Sequence, residues 1–219
     1  MTEAEWLACT DPQKMLAFLL AHPGYSERKV RLFAVACYWQ VEEFHWDEPL
    51  FDAEVEAVKR YADGLIGRDG LLAASLAHLR QLFPGEEESA LRFVSLEADY
   101  AAWLADWAAQ RVRYAGEGAW RAGAAEARQA DLLRDLFGNP CRPVTISPAW
   151  RTTQVVGLAQ AAYEVRELHS GALDPARLSV LADALEEAGC TNADILNHCR
   201  VPGVHVRGCW AVNLLLGKV

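Results

Sequence analysis

The chain has 219 residues, 52% of them hydrophobic, and a formal net charge of −9. That length and composition suit one domain or two small ones with a sizeable apolar core. Residues 1–140 hold 14 Lys/Arg against 23 Asp/Glu, whereas 141–219 hold 7 of each. The acidic first part disfavours nucleic-acid partners and anionic membrane surfaces, which both need clustered basic groups.

The opening "MTEAEWLACTDPQK" begins with acids and has no basic segment leading into an apolar one. It therefore predicts no secretory signal. A cytoplasmic location is the resulting expectation, with the six cysteines reduced. Apolar runs such as "AVNLLLG" are too short to span a membrane.

Helix signals dominate the chain. Thr2-Glu3-Ala4-Glu5 and Thr10-Asp11-Pro12-Gln13 both fit capping boxes, in which a hydroxyl and an acid or amide satisfy free backbone N–H groups reciprocally. Met15, Leu16, Leu19 and Leu20 then line a short helix ended by "HPGY". Ser26 caps the next, whose apolar positions Val30, Phe33, Ala34, Cys37 and Val41 follow the helical period. Asp52, Val55, Val58, Tyr61, Ala62 and Leu65 predict a third helix, stopped by "IGRDG". Leu71 to Phe83 predicts a fourth. Glu86-Glu87-Glu88 places negative charge at the start of a long helix reaching Tyr114. On it Leu96, Tyr100, Trp103 and Trp107 form one stripe, read as core in preference to a ligand pocket. Trp120 to Phe137 makes another helix.

"FGNPCRPVTISP" holds three prolines, each removing a backbone donor and restricting its predecessor. It predicts a Pro-rich connection at 139–148 between an acidic helical subdomain, 1–138, and a helical-hairpin subdomain, 149–219, unless the two form one continuous domain. Helix starts follow at Ser147-Pro148 and Thr153, the second helix running from Gln154 to Leu168. Asp174-Pro175 is an N-cap with proline at the first helical position, and Gly189 fits the residue after the C-cap. Thr191 caps a short helix through His198, "RVPGV" turns the chain, and Arg207 to Leu216 closes it. At most one short strand is expected, at 143–147. The fold class predicted is all-α, with nine or ten helices in an irregular or repeat-like array.

"MTEAEWLACTDPQKMLAFL", "RKVRLFAVAC", "LLRDLFGNPCRPVTISPAWRT" and "LADALEEAGCTNADILNHCRVPGVHVRGCWAVNLLLGK" together resemble a family of helical proteins of uncharacterised activity, much expanded in planctomycete bacteria. The likeness runs end to end and is weakest between Asp47 and Gln129. It implies a bacterial, intracellular helical protein with many paralogues, and carries no activity, cofactor or catalytic residue.

The richest chemistry lies in the tail. Cys190, His198, Cys199, His205 and Cys209 offer thiolate and imidazole, the donors zinc takes tetrahedrally. His198 and Cys199 are adjacent and point about 100° apart on a helix, so they do not share one ion. That leaves Cys190, His198, His205 and Cys209. His205-x3-Cys209 suits a helix face, but no C-x2-C clasp is present, and Cys190-x7-His198 is not a familiar spacing. The spacing favours the plainer reading, with small core cysteines, hydrogen-bonding histidines and no cofactor; zinc is the disfavoured alternative. Glu42-x-x-His45 is half of a di-iron motif and has no second copy. There is no Gly-x-Ser-x-Gly elbow and no P-loop.

After Asp194 the chain has no acids. Arg200, His205 and Arg207 are anion-binding candidates there, although pairing with helix ends or an acid such as Asp194 is the preferred expectation. Trp6, Trp39 and Trp46 are interface candidates if exposed. The leading expectation is a non-catalytic cytoplasmic protein-interaction or regulatory module with a protein partner. The alternative is a small-molecule- or metal-binding protein, enzymatic or not, using the tail cluster or the Tyr100–Trp107 helix. The third is nucleic-acid binding through the weakly basic tail.

Overall fold

The computed structural model describes residues 1–22, 25–39, 49–82, 119–166 and 171–218, with backbone alone at 38–39, 49–52, 78–82 and 119–122. Among them the fold is all-α. The helices are α1 (Glu3–Ala8), α2 (Pro12–Leu20), α3 (Glu27–Trp39), α4 (Pro49–Ala62), α5 (Arg68–Leu82), α6 (Ala119–Phe137), α7 (Thr153–Glu164), α8 (Pro175–Glu187), α9 (Ala193–Arg200) and α10 (Trp210–Leu216), with a 3₁₀ turn at Pro148–Trp150. No strand forms among the described residues, at 143–147 or elsewhere. Two isolated bridges occur, Arg166 with Leu173 and Ala172 with Val206. No described helix is long and apolar enough to cross a membrane.

Local chemistry sets the helix starts. Thr2 and Glu5 complete a capping box at α1. At α2 the cap is Asp11 rather than Thr10, because Pro12 occupies the first helical position and Asp11 accepts from the N–H groups of Gln13 and Lys14. Asn192 rather than Thr191 caps α9, accepting from Ile195. Thr152 caps α7, which ends at Glu164. Asp174 caps α8 with Pro175 behind it, and Gly189 follows that helix at φ 83°. In α4 the helix ends at Ala62, and Arg28 closes that end by donating from Nε to the Ala62 carbonyl at 2.8 Å and pairing with Asp63 at 3.2 Å. Leu65 is consequently exposed and not part of the apolar face.

The contacts divide the chain into two units, residues 1–25 with 123–219, and residues 26–122. In the second, Val30, Phe33, Ala34 and Cys37 of α3 and Val55, Val58 and Ala62 of α4 are buried. The Pro-rich segment is therefore not the dividing connection. Val144 and Ile146 pack on the C-terminal core, so 139–148 lies within the first unit. The N-terminal helices belong there too. Trp6 Nε1 donates to the Gly138 carbonyl at 3.0 Å, Arg134 donates to the carbonyls of Trp6 and Cys9, and Asn139 Nδ2 donates to Glu3 at 2.7 Å. Trp6 is fully buried, so the exposure that its interface reading required is not met. Trp39 ends α3, but its side chain, Trp46, Glu42, His45 and the whole Tyr100–Trp107 stripe lie outside the described residues.

The core of the first unit is built at helical spacing from Val155, Ala159 and Ala162 of α7, Leu178, Leu181 and Leu185 of α8, Ile195 and Cys199 of α9, and Ala211, Val212 and Leu215 of α10. Gly138 closes α6 at φ 69°, and a Cβ there would stand 3.1 Å from the Trp210 ring. Gly138→Ala meets both a left-handed backbone and that ring, and is expected to cost about 1–3 kcal/mol of unfolding free energy, read from the urea midpoint.

Candidate metal centre

Four side chains converge where α6 meets the C-terminal turns. Asp135, His198, His205 and Cys209 each bring a donor atom to within 4.8 Å of the other three. Asp135 comes from the last turn of α6, on the stripe it shares with buried Leu132 and Leu136. His198 sits in the last turn of α9, and Cys209 immediately precedes α10. His205 lies in the turn between these two helices. That turn is pinned from outside, because Leu173 N–H donates to the His205 carbonyl at 2.9 Å and Arg207 N–H to Gly171 at 2.8 Å.

The geometry is tight and directional. His198 Nε2 lies 3.1 Å from Cys209 Sγ and 3.2 Å from Asp135 Oδ1. His205 Nδ1 lies 2.9 Å from the same Oδ1. The two imidazoles meet edge to face with centroids 4.8 Å apart. Tetrahedral zinc, with bonds of about 2.0–2.3 Å, holds its donors roughly 3.3–3.7 Å from one another. Three of the donor separations, 2.9–3.2 Å, lie a few tenths of an ångström inside that range, and every pair in the set falls within 4.8 Å.

Supporting contacts orient the donors. The second oxygen of Asp135 accepts the Val206 N–H at 2.8 Å, and His205 Nε2 faces the Val201 carbonyl at 3.4 Å. A hydrogen bond from the remote ring nitrogen to a carbonyl is the usual brace of a ligating histidine. Asn213 Nδ2 donates to the Gly208 carbonyl at 3.0 Å and steadies the residue before Cys209. Trp210 covers His198, their ring centroids 5.0 Å apart.

Burial and charge are strong here. Asp135 is 2% exposed and Cys209 fully buried, while His198 keeps an 18% exposed edge. Burial pushes the Asp135 carboxyl up, but hydrogen bonds and charge from His198 and His205 outweigh it, and the group lies below the usual range. Burial pulls His205 down, and Asp135 more than restores it, so its net shift is upward. Burial, with Asp135 and Cys199 nearby, drives the Cys209 thiol well up, although the N–H groups of Ala211 and Val212 face the sulfur and oppose this. Those two make no full capping hydrogen bond. A divalent cation reverses this balance by stabilising the thiolate directly.

The arrangement is unsuited to a Cys–His–Asp catalytic relay. Such a relay takes a proton on one ring nitrogen and holds the other against the acid. Here the same nitrogen, His198 Nε2, faces both sulfur and carboxylate. An N–H shared between two acceptors is weakened toward each, whereas one lone pair directed at a central cation serves the whole set.

Of the residues that sequence spacing singled out, His198, His205 and Cys209 come together and Cys190 does not. Cys190 is buried in the apolar cluster with Cys199, whose thiol burial pushes up to about 12. Asp135 takes the fourth place. The signal for it was present in "DLLRDLF", as an acid on the apolar face of an amphipathic helix. The anion candidates turn to separate partners. Arg200 pairs with Asp183 at 2.7 Å and with Glu186, Arg207 Nε donates to the Tyr163 hydroxyl at 3.3 Å, and His205 meets Asp135. Asp194 pairs instead with Arg142 at 3.1 Å. A pocket of about 300 Å³ lined by Ile146, Pro148, Arg151, Val156 and Leu214 lies elsewhere, and Arg151 Nε donates there to the Leu215 carbonyl.

No protein-family profile, curated protein or solved structure matches this chain.

Proposed function

We propose that this protein binds a divalent transition-metal ion, zinc by the chemistry of its donors, through Asp135, His198, His205 and Cys209, and that the ion has a structural role in a non-catalytic module. The observation that carries the reading is the convergence of one carboxylate, two imidazoles and one thiol within 4.8 Å. Magnesium and calcium prefer all-oxygen shells, so two nitrogens and a sulfur select against them. Four protein donors fill a tetrahedral shell, which leaves no position for water or substrate, and this is the pattern of structural rather than catalytic zinc. The burial of three of the four donors supports the same assignment. Stabilised in this way, the helical unit suits the interaction or regulatory role expected from its sequence.

Metal analysis of the purified full-length chain tests the reading. After equilibration with buffered zinc and removal of free ion, about one zinc per chain is expected, because structural zinc is bound with a large free energy. Cobalt(II) in its place should give the strong visible absorption of a tetrahedral ion and a sulfur-to-cobalt charge-transfer band. Substoichiometric zinc, or an octahedral cobalt spectrum, would sink the proposal.

A further inference from the structure

Resting on that reading, we infer that the cation latches the N-terminal helices: with the ion bound, α1 and α2 are held against α6 and α9, and removal of the ion releases them. Asp135 is the one donor that comes from outside the C-terminal turns. The residues flanking it on α6 hold the N-terminus. Arg134 donates to the carbonyls of Trp6 and Cys9, and the Gly138 carbonyl accepts from Trp6 Nε1. A second path runs through α9. Asp194 lies four residues before His198, hence on the same helix face. Arg142 bridges it to Glu3 of α1, with contacts of 3.1 Å and 3.3 Å.

The N-terminal helices therefore rest on two supports, the C-terminal end of α6 and, through Arg142, α9. Coordination bonds join those two supports directly, Asp135 on one and His198 on the other. Without the ion the polar part of the join is reduced to imidazole contacts that share a single carboxylate oxygen, and to the Val206 N–H bond. A buried carboxylate with weakened partners favours an opening that hydrates it. α1 and α2 span 6 and 9 residues. Helices this short do not persist in water without packing. When the supports separate, they lose their fold together with their docking.

Hydrogen–deuterium exchange of the full chain, zinc-loaded and after chelation, tests this. On chelation, amides in 3–20 are expected to exchange at least about tenfold faster, together with those of 193–216. A double variant, Arg134→Ala with Arg142→Ala, removes the side chain that holds the Trp6 and Cys9 carbonyls and the bridge from Glu3 to Asp194, and leaves the four donors intact. It should show fast exchange in 3–20 while still binding zinc. Acceleration confined to 193–216 on chelation would overturn the latch and leave the metal reading standing. Failure of the wild-type chain to take up zinc would overturn both. Chelation of wild-type protein is the primary comparison, so the test does not depend on a donor variant folding.

Discussion

Cys209→Ser is expected to leave the chain without stoichiometric zinc and to lower its thermal midpoint in zinc buffer by on the order of 10 °C. A ligand held at a thousandfold above its dissociation constant stabilises the folded state by about 4 kcal/mol, and a unit of this size shifts by a few degrees per kcal/mol. Serine removes the soft donor and supplies a neutral hydroxyl in a buried position. His198→Ala and His205→Ala should act in the same direction. Two further variants separate this donor set from the one that spacing alone suggested. Asp135→Asn keeps the shape of the side chain and removes its charge, so zinc affinity should fall. Cys190→Ala alters a core residue that is not one of the four converging side chains, and zinc should remain bound. The reverse pattern, with Cys190 required and Asp135 dispensable, would refute the assignment of donors. In chelator the zinc-dependent difference between wild type and Cys209→Ser should disappear, which distinguishes loss of the ion from simple loss of packing.

Trp6→Ala should destabilise the first unit by about 3–5 kcal/mol, read from urea unfolding at constant slope. The indole is fully buried, meets Phe18 at a centroid distance of 6.1 Å, and donates to Gly138. Truncation leaves a cavity and an unsatisfied carbonyl next to the turn that carries Asp135. Trp6→Phe refills most of the volume and forfeits the hydrogen bond, so a smaller loss of about 1–2 kcal/mol is expected. If Trp6 served as an exposed anchor for a partner, both variants would leave stability unchanged and alter association alone. Its burial predicts the opposite.

Much of the secondary structure was legible because helix starts are local chemistry. Asp174-Pro175 and Thr2 with Glu5 each encode a start within four residues, and the apolar spacing of Val30, Phe33, Ala34 and Cys37 encodes a buried face. Starts moved by one residue where two capping residues are adjacent, as at Thr10-Asp11 and Thr191-Asn192, because either side chain can accept the free N–H groups. At α2 the proline decides between them. The 139–148 segment was legible as a break in helix, but not as part of a unit. A run of prolines excludes helix without saying whether the chain leaves the core, and Val144 and Ile146 keep it there.

The tail by itself put three of the four clustered side chains near one another, since His198, His205 and Cys209 lie within twelve residues and the "RVPGV" turn lies between them, although its spacing offered Cys190 as the fourth and favoured no metal. It also determined that Cys199 and His198 cannot serve one ion, because adjacent residues on a helix diverge. The identity of the fourth donor was decided only in the folded chain. Asp135 lies 63 positions before His198, and no spacing rule links them. α6 must first bury its Leu132 and Leu136 stripe, and this brings the acid on the same face to the turn between α9 and α10. Cys190, nearer in sequence, is buried in the apolar cluster with Leu185 and Ile195 and is not among the four converging side chains. Sequence thus settled which residue types were at hand, and the packing of helices distant in the chain settled which of them meet.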